Sequence, residues 1–242
     1  MNAGRLNGLT ALVTGASRGI GAGVVRAFAT RGASLVLTAR DPSLLEAVAE
    51  DARARGAEAV RTITADLSDP RQRLRLIQAA GPVDVLVQAA GVLGPVAEPL
   101  WQTSQDSFEA VMEVNVTAMF DLIRSIVPGM ASRGRGTVVN VSSSVGTAGR
   151  RGWGAYSVSK FAVEGMSQTL AEDLEGSGVR CVVINPGGTR TDMRAQAKPD
   201  EDPSTLPTPD DVAAVFVAAA LGELSNGERV NAREWMSRHE VS

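Results

Sequence analysis

Short apolar runs rich in β-branched residues alternate along the chain with longer stretches of helical period. The runs are Leu9–Thr14, Ser34–Thr38, Ala59–Thr64, Val83–Gln88, Thr137–Val141, Val179–Ile184 and, more weakly, Glu228–Asn231. Between them the helical pattern covers Ile20–Arg31, Ser43–Arg55, Arg71–Ala80, Ser104–Ser132, Ala155–Glu175 and Pro209–Gly222. Strands that are apolar throughout, rather than at every second residue, are buried on both faces, and the intervening helices supply the cover. Right-handed crossovers then predict an α/β fold: a single-domain, doubly wound parallel sheet of about seven strands with helices on both faces. No linker or repeat divides residues 1–242.

One segment breaks the alternation. Residues 187–209 carry Pro199, Pro203, Pro207 and Pro209 around Asp200-Glu201-Asp202. This polar excursion reads either as a loose surface loop or as a lid over a substrate site at the carboxyl ends of the strands, where open α/β sheets bind ligands.

Composition narrows the chemistry. The formal charge is −3, so the chain is no polycation for nucleic-acid backbones. The one cysteine, Cys181, forms no internal disulfide, and one cysteine with one histidine makes neither a zinc nor an iron–sulfur site. The histidine, His239, lies almost at the end, which leaves a Ser–His pair without support. The longest apolar stretch, Val212–Leu221, has ten residues and is too short for a bilayer. Met1–Gly8 lacks the apolar core of a secretory signal. The expectation is a soluble, cytoplasmic protein with no metal, nucleic-acid or membrane partner.

The first run is followed by Gly15-Ala16-Ser17-Arg18-Gly19-Ile20-Gly21, and a helix begins at once. Glycines there permit a tight turn and bring backbone N–H groups to a pyrophosphate at a helix N-terminus. No Lys-Ser or Lys-Thr follows, which argues against a triphosphate loop. The ribose end of a dinucleotide belongs near the end of the second run, where a carboxylate selects NAD. Here Ala39-Arg40 stands in that place and Arg18 lies in the glycine loop. Two guanidiniums suit the 2′-phosphate of NADP(H), which is the cofactor expected.

Tyr156 is the sole tyrosine, and Lys160 is one of two lysines among 24 basic residues. Four apart in a helical pattern, they share a face. A free phenol titrates near ~10, and a neighbouring ammonium is expected to bring it toward the working range. Such a phenol gives a proton to a carbonyl oxygen as hydride reaches the carbon, and takes it back in reverse. The run Val138–Val141 ends in Ser142-Ser143-Ser144, whose hydroxyls can hold a substrate oxygen or simply close the strand. Spacing alone does not choose among the three.

The ordered set resembles the short-chain dehydrogenase/reductase family, in its NADP-preferring Tyr-x-x-x-Lys branch, from about Leu6 to Thr191. Thr14, Gly15, Gly19 and Gly21 are similar to the family's Thr-Gly-x-x-x-Gly-x-Gly loop, and Asp66-Leu67 to its adenine-contacting pair. Asn115 is similar to the helix asparagine that holds a proton-relay water. The family's serine precedes its tyrosine by about thirteen positions, which selects Ser143. The resemblance implies a Rossmann-like fold, with Asn115, Ser143, Tyr156 and Lys160 as catalytic residues. It also implies cofactor contacts from Gly15, Ser17, Arg18, Gly19, Ile20, Gly21, Arg40, Asp66 and Leu67. Further contacts are implied from Ala89, Gly91, Tyr156, Lys160, Pro186, Gly187, Thr189 and Thr191. Two segments depart from the family: Gln88-Ala89-Ala90-Gly91 replaces Asn-Asn-Ala-Gly, and Asn226–Asn231 replaces an Asp-Gly-Gly.

The function so implied is an NADPH-dependent carbonyl reductase, reversible as an alcohol dehydrogenase, acting on a small or acyl-type carbonyl substrate. A non-catalytic NADP-binding sensor or interaction module on the same fold is the alternative, and it would have no need for Ser, Tyr and Lys together. Arg150 and Arg151 before Tyr156 suggest an anionic or acyl-carrier substrate, against the plainer reading of a solvated basic turn. Trp153, Met193 and Leu206 are candidates for an apolar lining. The resemblance further implies a homotetramer or homodimer built on Ser104–Ser132 and Ala155–Glu175.

Overall fold

In the computed structural model, which describes residues 4–239, all seven runs are strands of one sheet. They are β1 (Thr10–Thr14), β2 (Ser34–Ala39), β3 (Ala59–Thr64), β4 (Val85–Gln88), β5 (Gly136–Val141), β6 (Val179–Asn185) and β7 (Arg229–Asn231). The order is β3-β2-β1-β4-β5-β6-β7 and every pairing is parallel. The chain walks outward from β1 to β3, then returns to start again at β4 beside β1. That reversal opens a crevice at the carboxyl ends of β1 and β4. The first three residues of Met1–Gly8 lie outside the described residues.

The helices are α1 (Gly19–Ala29), α2 (Pro42–Ala54), α3 (Pro70–Ala80), α4 (Gln105–Met112), α5 (Ala118–Ser132), α6 (Gly154–Asp173), α7 (Asp192–Ala197), α8 (Pro209–Leu221) and α9 (Ala232–His239). Their starts are written locally. Asp41 accepts from the N–H of Ser43 and Leu44, Asp69 from Arg71, and Thr208 forms a capping box with Asp211; a proline follows each cap. On one face of the sheet Val24, Val25 and Phe28 of α1 pack with Val212, Val215 and Phe216 of α8. Gly23 permits that contact, since a Cβ there would overlap the Pro209 carbonyl. On the other face Leu76, Leu122, Ile126, Met130 and Val163 cover Leu12, Leu86 and Val138. Among the described residues no helix is long and apolar enough to cross a membrane.

Three features differ from the sequence-based expectation. The single helix expected over Ser104–Ser132 is two, α4 and α5, separated by a π-turn at Glu113–Thr117. The wider turn carries Asn115 inward, where its side chain is fully buried. The 187–209 excursion contains α7 and a 3₁₀ turn at Pro203–Thr205. Finally α9 follows β7 directly, a short polar helix whose anchors to the core are Trp235 and Met236.

Candidate active site

A cleft of about 1040 Å³ lies at the carboxyl ends of the strands. Its floor begins at the glycine loop. Gly15 holds φ +65°, and a Cβ there would sit 2.8 Å from the Ala90 Cα; a Cβ on Gly21 would overlap the Gly15 carbonyl oxygen. These glycines let β1, the β4 loop and α1 converge. Arg18, at the N-cap of α1, places no side chain on the helix's first N–H groups. Asp41, Asp69, Ser104, Thr191 and Thr208 do cap the helices they precede. The unfilled N-terminus of α1, with Gly19, Ile20 and Gly21 on the cleft wall, thus offers uncommitted donors and the positive end of the helix dipole to an anion. A dinucleotide pyrophosphate fits that cradle.

At the adenosine end the wall is Thr38, Ala39, Arg40, Asp66 and Leu67. Arg40 is exposed there, and Arg18 reaches from the glycine loop, its Nη1 3.8 Å from Asp192. Asp41, the acidic neighbour of Arg40, turns Oδ1 onto the start of α2 at 2.9 and 3.0 Å. The Asp66 carboxylate closes its own turn by accepting from the N–H and hydroxyl of Ser68. Arg18 and Arg40 thus both line the cleft, and Asp41, the carboxylate next to Arg40 at β2's end, is occupied as a helix cap.

Ser143, Tyr156 and Lys160 line the same cleft from β5's end and from α6. Ser143 caps the 3₁₀ turn Ser144–Gly146, its Oγ accepting from the Val145 N–H, and its hydroxyl lies close enough to the Tyr156 phenol to favour the ionised form. Lys160 Nζ donates to the Val141 carbonyl at 2.8 Å and lies 5.5 Å from the centroid of the Tyr156 ring. Burial pushes the phenol up to about 12, with the Ser143 hydroxyl pulling partly back. Burial likewise brings the ammonium down to about 8, opposed by the Glu164 carboxylate. The expectation that Lys160 brings the phenol toward neutrality is corrected: desolvation dominates, and the ammonium is engaged by a backbone carbonyl. At neutral pH the phenol carries its proton.

The other sequence-derived residues separate into two groups. Ala89, Gly91, Pro186, Gly187, Thr189 and Thr191 all line the cleft. Asn115 does not; it sits one layer behind. Its amide donates to the Val92 carbonyl at 2.9 Å and to Ser159 Oγ at 3.0 Å, and its Oδ1 accepts from Val92 N–H at 2.8 Å. The side chain thus pins the loop after β4 to α6, which is a positioning role. Arg150 and Arg151 are exposed and outside the cleft wall, and Leu206 is buried behind it against Gly188. Trp153 and Met193 do line it, joined by Leu93 and Ala197, in an apolar cluster that includes Tyr156 and Val145. Leu93 was not foreseen, because nothing in a loop of that composition says which residue turns inward.

A crevice at a strand-order reversal, an open helix N-terminus and a Ser–Tyr–Lys set define a nucleotide-dependent α/β enzyme. Residues 9–202 match the family described as short chain dehydrogenase. YciK of Escherichia coli K12, an uncharacterised oxidoreductase, is 39% identical over 218 residues, 88% of this chain and 86% of that protein. A short chain dehydrogenase structure from Pseudomonas syringae is 42% identical with TM-score 0.89, over 94% of this chain and 95% of that one. Another, from E. coli CFT073 complexed with NADPH, is 37% identical with TM-score 0.87, over 94% and 97%. The chain belongs to the short chain dehydrogenase family and is an oxidoreductase of CH–OH and C=O groups.

Proposed function

We propose that this enzyme reduces ketones or aldehydes with NADPH, and that the reaction reverses as an alcohol dehydrogenase. The observation that carries the reading is the convergence of Ser143 and a protonated Tyr156 on the cleft that also receives the open end of α1. The NADPH complex of the related E. coli chain supports the cofactor assignment, as do Arg18 and Arg40 at the ribose end. The Gly15–Gly21 loop would hold the pyrophosphate, Arg18 and Arg40 the 2′-phosphate, and Asp66 and Leu67 the adenine. Ala89, Gly91, Pro186, Gly187, Thr189 and Thr191 would border the nicotinamide half, and Lys160 its ribose. When bound, the reduced nicotinamide supplies the hydride.

The protein's own part is proton transfer and orientation. Ser143 donates to the carbonyl oxygen and holds it against the phenol; Tyr156 protonates that oxygen as negative charge gathers on it. The buried ammonium of Lys160, 5.5 Å from the centroid of the phenol ring, offsets part of the cost of the phenolate left behind, although burial keeps the resting phenol protonated. Asn115 acts through the backbone it fixes. The wall of Leu93, Trp153, Met193 and Ala197 favours a carbonyl carrying an apolar, uncharged group rather than the anionic substrate suggested by Arg150 and Arg151. Residues 187–209 serve as a lid within the single domain, braced by the Arg194–Glu201 ion pair. Copies of the chain pair through α5 and α6, which expose Phe120, Val158 and Phe161.

The test is loss of the reduced-nicotinamide absorbance with a panel of aryl and alkyl ketones. Tyr156→Phe is expected to lower kcat roughly 10²- to 10⁴-fold with little change in NADPH affinity. Undiminished turnover in that variant refutes the assignment. Silence across the panel with NADPH still bound would favour a sensor module instead.

A further inference from the structure

Three consecutive residues at the end of β5 meet α6. The Val141 carbonyl accepts from Lys160, the Ser142 hydroxyl donates to Glu164 Oε1 at 2.5 Å, and Ser143 lines the cleft beside Tyr156. Glu164 lies one turn beyond Lys160 and is only 4% exposed. The same Oε1 accepts from Arg229 Nε at 2.9 Å. Arg229 stands on β7, two strands from β5, at the sheet's edge. A carboxylate buried this deeply requires a paired cation and hydrogen-bond donors, and here they come from two different strands. Neither Glu164 nor Arg229 lines the cleft.

We propose that Glu164 is a positioning residue for proton transfer: anchored by Arg229, it fixes Ser142, hence the seat of Ser143, and holds the charge of Lys160. The inference rests on the carbonyl-reductase reading. Its geometric half follows from the strand: Ser142 and Ser143 are adjacent, so a Ser142 held to α6 sets where the next hydroxyl meets the phenol. Its electrostatic half follows from the neighbours. Lys160 faces Glu164 from its own helix and Arg229 from β7. On β6, Cys181 is turned to Asn140 and Arg180 to Thr137. On α4 and the π-turn, Asp106 is exposed, Glu109 accepts from Gln105 and Glu113 from Arg73. The turn Ser144–Gly146 carries no charge. Lys160 is therefore the nearby group that titrates just above neutrality, and Glu164 is the anion that opposes its deprotonation.

The experiment compares pH–rate profiles of kcat for ketone reduction at saturating NADPH. Glu164→Gln removes the anion while keeping its shape, so Lys160 loses its proton earlier and the alkaline limb moves down by about one pH unit. Arg229→Gln leaves the anion uncompensated, so the limb moves up by a similar amount; Arg229→Lys restores the wild-type limb. In both Gln variants kcat falls several-fold while KM for NADPH stays within about twofold, as expected of groups outside the cofactor's wall. Limbs unmoved in both, beside an inactive Tyr156→Phe, would reduce Glu164 to a structural ion pair. An active Tyr156→Phe would overturn the parent reading instead. If Glu164→Gln does not fold, the direction of the limb in Arg229→Gln against Arg229→Lys decides.

Discussion

Lys160 shows how a functional residue works against the fold that holds it. Its ammonium titrates at about 8 in the folded chain against 10.5 when free. Below pH 8 both states are protonated and the folded chain bears the cost of a buried charge. As pH rises above the folded value, the folded chain sheds that proton while the unfolded one keeps it, so stability rises until the unfolded group also titrates. The gap corresponds to about 3 kcal/mol. Cys181, pushed up to about 12 from 9.0, acts in the opposite sense from pH 9 upward, and Tyr156 does so from pH 10. The cofactor-free protein should therefore melt at a higher temperature at pH 9 than at pH 8. Calorimetry of Lys160→Met should show that rise gone. A rise that persists in the variant would mean that Lys160 is not its source.

At the level of elements, the weight falls on joints between helices. Arg73 of α3, nearly buried, donates to the Leu67 carbonyl at 2.6 Å and to Asp121 at 2.9 Å, and pairs with Glu113 at the start of the π-turn. It thereby ties the adenine-side loop to the turn that carries Asn115. Arg73→Ala should cost about 2–4 kcal/mol in urea unfolding, since it strands the Glu113 carboxylate and the Leu67 carbonyl and leaves Asp121 with the exposed Arg124 as its cation. It should also weaken NADPH binding; a change below 1 kcal/mol would show that water replaces the guanidinium. This joint marks the boundary of what the sequence discloses. Apolar runs and Asp-Pro or Thr-Pro caps locate strands and helices because period and capping are local physics. The glycine loop and Tyr156–Lys160 are legible for the same reason: their spacing is itself the geometry. The π-turn is not, because residues 104–132 keep a helical pattern throughout and only the tertiary bonds of Asn115 reveal the extra residue. Glu164 reads as an ordinary exposed helix position until Arg229 arrives from 65 residues away.

On the scale of the whole molecule, the cleft is walled by residues of β2, β5, β6, α1, α2, α6 and α7 and of the loops after β1, β3 and β4, which a ligand along its length would bind into one unit. A dinucleotide that binds only the folded chain stabilises it by about 2.7 kcal/mol at a hundred times its Kd. For a chain of this length that is a melting shift of roughly 5–10 °C. NADPH should produce that shift, and NADH at equal concentration a clearly smaller one, because Arg18 and Arg40 lose their phosphate partner. Arg40→Asp should invert the order by setting a carboxylate against the 2′-phosphate and beside a free 2′-hydroxyl. The controls follow from the geometry. Gly21→Ala, which would overlap the Gly15 carbonyl, should abolish both shifts. Tyr156→Phe should leave both intact while turnover disappears. Equal shifts from NADH and NADPH in the parent protein would remove the two arginines from the cofactor's recognition, leaving the fold and the phenol's chemistry where they stand.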